Sequence, residues 1–190
     1  MDLNNPGEDG GKITCISGTP GTGKTTVAGL LEGAGYSALE IEDFARTRGI
    51  YSHIENGETL VIDLDELVSS LEKHLSTSGC AFLVGHLSHN LPNPYAVVVL
   101  RTKPSVLRRR LIEKGWDESK IDENVEAEAM DICLGEALDL HGDRVSEIDT
   151  TEMDPEKTAN MVLEVHLSGR RYPPWPRDWL LEHILEESRG

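Results

Sequence analysis

The sequence predicts an α/β fold in which a parallel sheet is covered by helices on both faces. Several short runs are continuously apolar, as is typical of strands that are buried on both sides. Between them lie segments whose apolar residues recur at helical spacing. Strands that alternate with helices form a doubly wound sheet, whose ligands bind outside the carboxyl ends of the strands.

The predicted elements alternate along residues 12–168, which we expect to form one domain. Apolar runs predict strands at residues 12–17, 36–41, 81–84, 96–100 and 144–148. Helical spacing predicts helices at residues 24–33, 43–48, 64–75, 104–114, 119–140 and 155–167. Pro104 and Pro155 each fall in a first helical turn, where the N–H that proline lacks would have no helical partner. Residues 49–57 are loop-like.

The two ends of the chain differ in composition from this domain. Residues 1–11 are polar and Gly-rich, so we expect a disordered N-terminus without a secretory signal. Residues 169–190 form a C-terminal tail in which Trp and Pro residues precede a short acidic helix. Two interpretations of this tail stay open: packing on the domain, which is the commoner outcome, or docking of a partner.

Composition argues against several classes of protein. The formal net charge of -16 repels a nucleic acid backbone, so broad binding to RNA or DNA is not expected. The acidic surface is either simply solvated or suited to a basic protein partner. Cys15, Cys80 and Cys133 lack metal-ligand spacing, which predicts free thiols in a cytoplasmic protein. No apolar run approaches the ~20 residues that a membrane span requires.

Residues 18–25 carry the clearest chemical signal, because they match the pattern G-x-x-x-x-G-K-[ST] in full. Glycines let successive backbone N–H groups point into one concave nest that binds phosphate oxygens, and the helix that follows adds its positive end. Lys24 is expected to reach the β- and γ-phosphates of ATP, and Thr25 to offer its hydroxyl to Mg²⁺. The predicted nucleotide cradle of this P-loop NTPase fold comprises Gly18, Gly21, Thr22, Gly23, Lys24, Thr25 and Thr26.

Arg110 and Lys114 are candidate phosphate-neutralising cations. They lie four residues apart, so they share one face of a predicted helix, and Leu107 and Leu111 flank that face. Phosphoryl transfer depends on positioning and charge neutralisation, which favours two cations that reach over the phosphates. The alternative is a pair of surface cations on an acidic protein, and spacing alone does not decide between the two.

Six segments, taken in order, carry a family resemblance: SGTPGTGKTT at 17–26, DFAR at 43–46, DLDE at 63–66, GHLSH at 85–89, VLRT at 99–102 and NVEAE at 124–128. With these segments the chain resembles the adenylate kinase isoenzyme six family over roughly residues 12–165, and the GHLSH stretch resembles its archaeal branch. The resemblance implies a nucleotide-kinase type of P-loop fold with a five-stranded parallel sheet. It also implies an AMP-binding segment at about 40–63 and a lid at about 113–123.

The same resemblance implies site residues and partners. Arg46 matches an arginine that faces the acceptor nucleotide, Arg110 matches the arginine just before the lid, and His86 matches a histidine of the catalytic loop. A lone histidine after a strand is otherwise more often a structural hydrogen-bonding group, which is how we interpret His89. The family is linked to maturation of the small ribosomal subunit, where it partners a basic small-subunit ribosomal protein.

Two positions depart from the family pattern. Val84 stands where the family usually has an acidic residue, two positions before His86, and such a carboxylate orients Mg²⁺ or an attacking water. Another acid could substitute for it through space, but the sequence does not identify which one. Lys114 stands where the family has a lid arginine, so the charge is kept while the planar fork is lost.

Three functions are compatible with these observations. The first is an ATP:AMP phosphotransferase that uses Mg²⁺ and also has ATPase activity. The second is an ATP-driven assembly factor that releases or holds a ribosomal protein, with little kinase turnover. The third is a module that binds ATP without turning it over, which the departure at Val84 keeps open.

Overall fold

The computed structural model describes residues 11–51, 53–55 and 59–188. Within them the strands are β1 (Thr14–Ser17), β2 (Ala38–Glu40), β3 (His53–Glu55), β4 (Thr59–Val61), β5 (Phe82–Val84), β6 (Ala96–Arg101) and β7 (Val145–Asp149). Five of these form one parallel sheet in the order β2-β5-β1-β6-β7, and β3 pairs with β4 as a separate antiparallel ribbon. The predicted five-stranded parallel sheet is therefore confirmed.

Eight α-helices lie in the described part of the chain, with short 3₁₀ turns at Ser88–Asn90 and Gly142–Arg144. The helices are α1 (Lys24–Gly33), α2 (Ile41–Arg48), α3 (Leu64–Ser78), α4 (Pro104–Glu113), α5 (Glu118–Ala129), α6 (Ile132–His141), α7 (Pro155–Ser168) and α8 (Trp179–Glu187). Asp63 and Asp154 cap α3 and α7 by accepting a hydrogen bond from a backbone N–H of the first turn. Pro104 and Pro155 open their helices as predicted.

The central strands are apolar throughout because the sheet has an apolar layer on each face. Residues that alternate along a strand enter opposite layers: Cys15 packs with α2 and α3 on one side, whereas Ile16 packs with α1 and α7 on the other. All six residues of β6 are buried. A third apolar cluster joins α4 to α5 through Leu107, Leu111, Ile121 and Val125. Helices on both faces of the sheet were expected from the continuous apolar runs.

Two local predictions are wrong. Part of the stretch 49–57, expected to be a loop, forms β3. The helix expected at residues 119–140 is two helices, because Asp131 between them adopts a left-handed backbone with φ 58°. Arg101 accounts for this break. Its guanidinium donates to the Glu128 carbonyl oxygen at 2.9 Å and to the Asp131 carboxylate, so a buried side chain from the sheet caps the end of α5.

The C-terminal tail packs on the domain. Trp179 is buried, with its ring 4.9 Å from the Arg101 guanidinium carbon and 5.1 Å from that of Arg177. Lys103 adds ion pairs to α8, 3.0 Å from Glu182 and 3.5 Å from Glu186.

Of the predicted disordered N-terminus, residues 1–10 lie outside the described residues. Within the described ranges, none of the helices has the length and apolar composition that a membrane crossing requires.

The tail supplies a first prediction. Trp179→Ala should lower the free energy of unfolding by about 3 kcal/mol, because it removes a buried ring and its contacts with two guanidinium groups. Denaturant titration followed by circular dichroism measures this loss. Trp175→Ala is the matched control: the Trp175 side chain is 71% exposed, so its removal should change stability by no more than about 0.5 kcal/mol. Equal losses in the two variants would contradict packing through Trp179.

Candidate active site

The loop between β1 and α1 adopts backbone angles that only glycine takes readily. Gly18, Gly21 and Gly23 have φ values of 132°, 94° and 107°. A Cβ at Gly18 would collide with the carbonyl oxygen of Leu100, and one at Gly21 would press on the side chains of α4. The loop therefore lies tightly between the end of β6 and α4, with its backbone free of side chains where it precedes the N-terminus of α1.

Lys24 begins α1 and folds back over the loop. Its ammonium group donates to the carbonyl oxygens of Gly18 at 2.6 Å and Thr19 at 3.1 Å. Burial lowers the pKa of Lys24 to about 8, although nearby carboxylates such as Glu42 and Glu128 oppose the shift. The ammonium group thus ties the first residues of the loop together and lies at the start of a helix, where anions are favoured.

Glu128 fixes the loop from behind. Its Oε2 accepts a hydrogen bond from the Thr19 hydroxyl at 2.5 Å, while its Oε1 accepts from Arg101 Nε and from the Thr102 backbone N–H, both at 2.8 Å. Glu128 and Arg101 are 1% and 2% exposed, so the pair is desolvated, and Arg101 is the cation that compensates the buried charge of Glu128. From the sequence alone, Glu128 was noted only as the last residue of the NVEAE segment, and no role was predicted for it.

Two clefts flank the loop. The first, of about 200 Å³, lies between the loop and the carboxyl ends of β2 and β5. The second, of about 350 Å³, lies between the loop, α4 and the start of α7. The residues that border both are Gly21, Gly23, Thr26 and Lys114. The volume of the second cleft falls within the range of small-molecule sites, and both clefts open on the edge of the sheet where ligands of this architecture bind.

The structure brings Arg110 and Lys114 to the same cleft. Both line the second cleft, and Lys114, the C-cap residue of α4, also borders the first. Arg110 is held in place by hydrogen bonds to the Thr102 hydroxyl at 3.0 Å and the Thr150 carbonyl oxygen at 2.7 Å. Burial and the adjacent Arg109 lower the pKa of Arg110. Two cations therefore stand beside the loop, as charge neutralisation of phosphates would require.

The two histidines after β5 differ in their surroundings. His86 follows Gly85, which lines the first cleft, and its side chain is 39% exposed, with Nδ1 3.4 Å from a carboxylate oxygen of Glu42. That hydrogen bond lowers the pKa of the Glu42 carboxyl. His89 is buried between the Ser17 hydroxyl at 2.8 Å and Glu136 at 3.1 Å, and burial lowers its pKa. His89 thus has the structural role expected of it, whereas the catalytic role of His86 stays a prediction.

Oxygen donors suited to Mg²⁺ lie at one side of the first cleft. The Thr25 hydroxyl is 3.5 Å from Oε2 of Glu40, and Glu42 lines the same cleft. Burial raises the pKa of the Glu40 carboxyl, although the hydrogen bond from Thr25 opposes the shift. Among residues 11–51, 53–55 and 59–188, no group of three or more His, Cys, Asp or Glu side chains is arranged to hold a metal ion. A hydroxyl and a carboxylate fit Mg²⁺, which takes one or two protein oxygens together with substrate phosphates.

The remaining predicted parts of the site are an arginine, an AMP-binding segment and a lid, and most of their residues do not line the two clefts. Arg46 is exposed on α2 and is not among the residues that line the two clefts, so its role towards an acceptor nucleotide stays a prediction. The predicted AMP-binding segment at 40–63 falls partly on residues 52 and 56–58, which lie outside the described residues. The predicted lid at 113–123 spans the end of α4, a short connection and the start of α5, and its Trp116 lines the first cleft.

Comparisons with known proteins agree with this geometry. The family model described as "AAA domain" matches residues 14–131. A protein of Methanothermobacter thermautotrophicus is 39% identical over 173 residues, which cover 89% of this chain and 99% of the relative. A protein of Archaeoglobus fulgidus is 40% identical over 181 residues, which cover 92% of this chain and 97% of the relative. Both relatives are named "Putative adenylate kinase".

Solved structures show the same fold at low identity. Shikimate kinase from Acinetobacter baumannii, in complex with shikimate, superposes with a TM-score of 0.59 at 20% identity and covers 84% of this chain and 94% of its own. A gluconokinase from Sinorhizobium meliloti gives a TM-score of 0.52 at 17% identity and covers 93% of this chain and 97% of its own. These likenesses confirm the predicted P-loop kinase architecture. At identities of 20% and 17%, they bear on the fold and not on the substrate.

The buried ion pair behind the loop generates a second prediction. Glu128→Ala should lower the free energy of unfolding by about 3 kcal/mol, because it removes the buried carboxylate that pairs with Arg101 and leaves the Thr19 hydroxyl and the Thr102 N–H without their acceptor, while Asp131 still contacts the guanidinium. Glu126→Ala, an exposed change in the same helix, should cost no more than about 0.5 kcal/mol. Thermal and denaturant unfolding of both variants provide the measurement, and a Glu128→Ala protein as stable as the control would show that the pair is not structural.

Proposed function

The chain belongs to the AAA domain family of P-loop proteins, together with archaeal relatives named "Putative adenylate kinase", and we propose that it transfers the γ-phosphoryl group of ATP to AMP. The observation that carries this proposal is the loop at residues 18–25, with Lys24 across it and a cleft on either side. Two clefts that meet at one phosphate cradle suit a reaction in which two nucleotides bring their phosphates together.

In the proposed complex the loop amides and Lys24 hold the β- and γ-phosphates of ATP. The second cleft takes the nucleoside of ATP because it is the larger of the two and lies beside Arg110. The first cleft takes the phosphate of the acceptor, next to the ends of β2 and β5, with Arg46 at the outer side of α2. Mg²⁺, when bound, neutralises phosphate charge next to the Thr25 hydroxyl.

The transfer itself needs little from the protein beyond position and charge. A phosphate oxygen of AMP attacks the γ-phosphorus, the bond from that phosphorus to the bridging oxygen of ATP breaks, and two ADP molecules result. Lys24 and Arg110 stabilise the charge that moves onto the leaving oxygen, while Lys114, at the junction of the two clefts, faces both nucleotides. For His86 we propose the role of holding a water or acceptor group, which its position after β5 and its contact with Glu42 support.

A second candidate, an ATPase that serves small-subunit ribosome maturation in the cytoplasm, is favoured by the charge of the chain. The formal net charge is -16, which attracts a basic ribosomal protein. In this case water replaces AMP as the acceptor and hydrolysis drives release of the bound protein. The same cradle serves both reactions, so the two functions differ in what occupies the first cleft.

A kinetic assay separates these functions. ADP formation from Mg·ATP should depend on AMP, with turnover at or below the usual kinase range of about 1–100 per second. Lys24→Ala should reduce it by about 10²–10³-fold, because it removes a preorganised charge from the transferring phosphate. Lys73→Ala, an exposed change in α3, should leave it unchanged.

Other outcomes of this assay identify the alternatives. Turnover that does not need AMP and rises with a basic ribosomal protein would favour the assembly factor. Tight ATP binding with no ADP formed under any of these conditions would contradict both enzymes and leave a passive binding module.

Protonation of Lys24 supplies a further prediction. Its pKa is about 8 in the free protein, and contact with triphosphate oxygens should raise it. Above pH 8 the free lysine loses its proton whereas the bound lysine keeps it, so affinity for ATP should fall by about tenfold per pH unit there. Calorimetry at pH 8.5 in buffers of different ionisation enthalpy should detect proton uptake that is absent at pH 6.5.

Lys24→Arg provides the control, since arginine stays charged throughout this range. Any ATP binding that this variant retains should be free of proton uptake at pH 8.5. The same uptake in Lys24→Arg and in the wild type would assign the proton to another group.

A further inference from the structure

Val84, at the end of β5, stands where the resemblance implies an acidic residue near Mg²⁺, so the first cleft has no carboxylate at this strand end. The structure has a carboxylate at the corresponding register position of the neighbouring strand, β2. Glu40 is the last residue of β2, and it is the direct register partner of Val84 in the parallel pair of strands. Register partners in a parallel pair project from the same face of the sheet, so a carboxylate at position 40 emerges beside the position it would have at 84.

The face in question is the one that α1 covers. Val84 packs in the apolar layer formed with α1 and α7, and Ala38, two residues before Glu40, borders the same layer. The Thr25 hydroxyl, in the first turn of α1, is 3.5 Å from Oε2 of Glu40. The strand-end carboxylate therefore reaches the side chain that the loop motif reserves for Mg²⁺.

Other acids around the clefts are engaged elsewhere or lie apart. Glu42 is 60% exposed and contacts His86 at 3.4 Å. The carboxylate of Glu128 already accepts hydrogen bonds from Arg101, Thr102 and Thr19. Glu113 lines the second cleft, on the far side of the loop from Thr25. Of the described acids that line the clefts, Glu40 is the one whose carboxylate lies within hydrogen-bond distance of the Thr25 hydroxyl.

We propose that Glu40 is the carboxylate that positions Mg²⁺ with Thr25 in place of the acid absent at Val84. The assignment rests on the proposed binding of ATP at the loop. Mg²⁺ in nucleotide sites takes one or two protein oxygens besides phosphates and waters, so a hydroxyl and one carboxylate suffice. In this proposal the acid that positions the metal lies at the carboxyl end of β2 rather than at that of the neighbouring β5, and it still contacts Thr25.

Calorimetry of ATP binding, with Mg²⁺ and then with EDTA, tests this assignment independently of turnover. In the wild type, Mg²⁺ should strengthen ATP binding. Glu40→Gln should weaken Mg·ATP binding by about 10–100-fold, the usual effect of removing a group that supports a metal ion. The same variant should bind metal-free ATP at least as tightly as the wild type, because a negative charge beside the triphosphate is gone.

Two single variants provide controls for charge and for position. Glu32→Gln makes the same charge change on an exposed face of α1 and should leave both affinities unchanged. Glu42→Gln removes the neighbouring carboxylate, which contacts His86 rather than Thr25, so it should reduce the Mg²⁺ effect less than Glu40→Gln does. A Glu40→Gln protein with the wild-type Mg²⁺ effect overturns the assignment, and so does loss of that effect in Glu42→Gln alone. If wild-type protein binds no ATP with or without Mg²⁺, the proposed function fails together with it.

A rescue experiment tests whether the two strand ends are interchangeable. Val84→Asp, introduced into the Glu40→Gln protein, should strengthen Mg·ATP binding by at least about fivefold over Glu40→Gln alone. Val84→Asp alone should not raise turnover, because Glu40 already supplies the carboxylate. A double variant that shows the wild-type circular dichroism spectrum but binds Mg·ATP no better than Glu40→Gln contradicts the interchange. Since Val84 is buried, Glu40→Asp serves as the conservative variant if the double variant does not fold, and it should retain more of the Mg²⁺ effect than Glu40→Gln.

Discussion

The buried ion pair between Arg101 and Glu128 holds together parts of the chain that are distant in sequence. One carboxylate oxygen of Glu128 accepts from Arg101 and from the backbone of Thr102, and the other accepts from Thr19 in the phosphate loop. Leaving either charge unpaired in this interior costs several kcal/mol, so the loop, the end of β6 and α5 keep one relative arrangement. The shape of the anion cradle thus depends on a contact 109 residues away along the chain.

The same guanidinium also determines where a helix ends and where the tail lies. It caps α5 by binding the Glu128 carbonyl oxygen and the Asp131 carboxylate, and its outer face lies against the ring of Trp179. The Trp179 ring of the tail therefore helps to shield the Arg101 guanidinium from water. A desolvated ion pair is more sensitive to geometry than an exposed one, which links the packing of α8 to the position of Thr19.

Local patterns in the sequence were sufficient for most of the fold. Apolar runs predicted the strands of the parallel sheet. The phosphate loop was predictable because its glycines, Lys24 and Thr25 all lie within the eight consecutive residues 18–25. The break at Asp131 was missed because its cause, Arg101, is 30 residues away. The contact between Glu40 and Thr25 was missed for a related reason, since β2 meets β5 only through the strand order of the folded sheet.

Charge explains why an acid at the end of β2 fits a phosphate site. Glu40 and Glu42 line the same cleft as Lys24 and Lys114, so two carboxylates lie among the cations on this side of the cradle. A triphosphate brought there alone would meet two carboxylates in a partly desolvated cleft, where like charges repel more strongly than in water. A divalent cation between them converts that repulsion into attraction on both sides. On the proposed assignment of Glu40, an anion cradle that contains carboxylates favours a nucleotide that arrives with its metal.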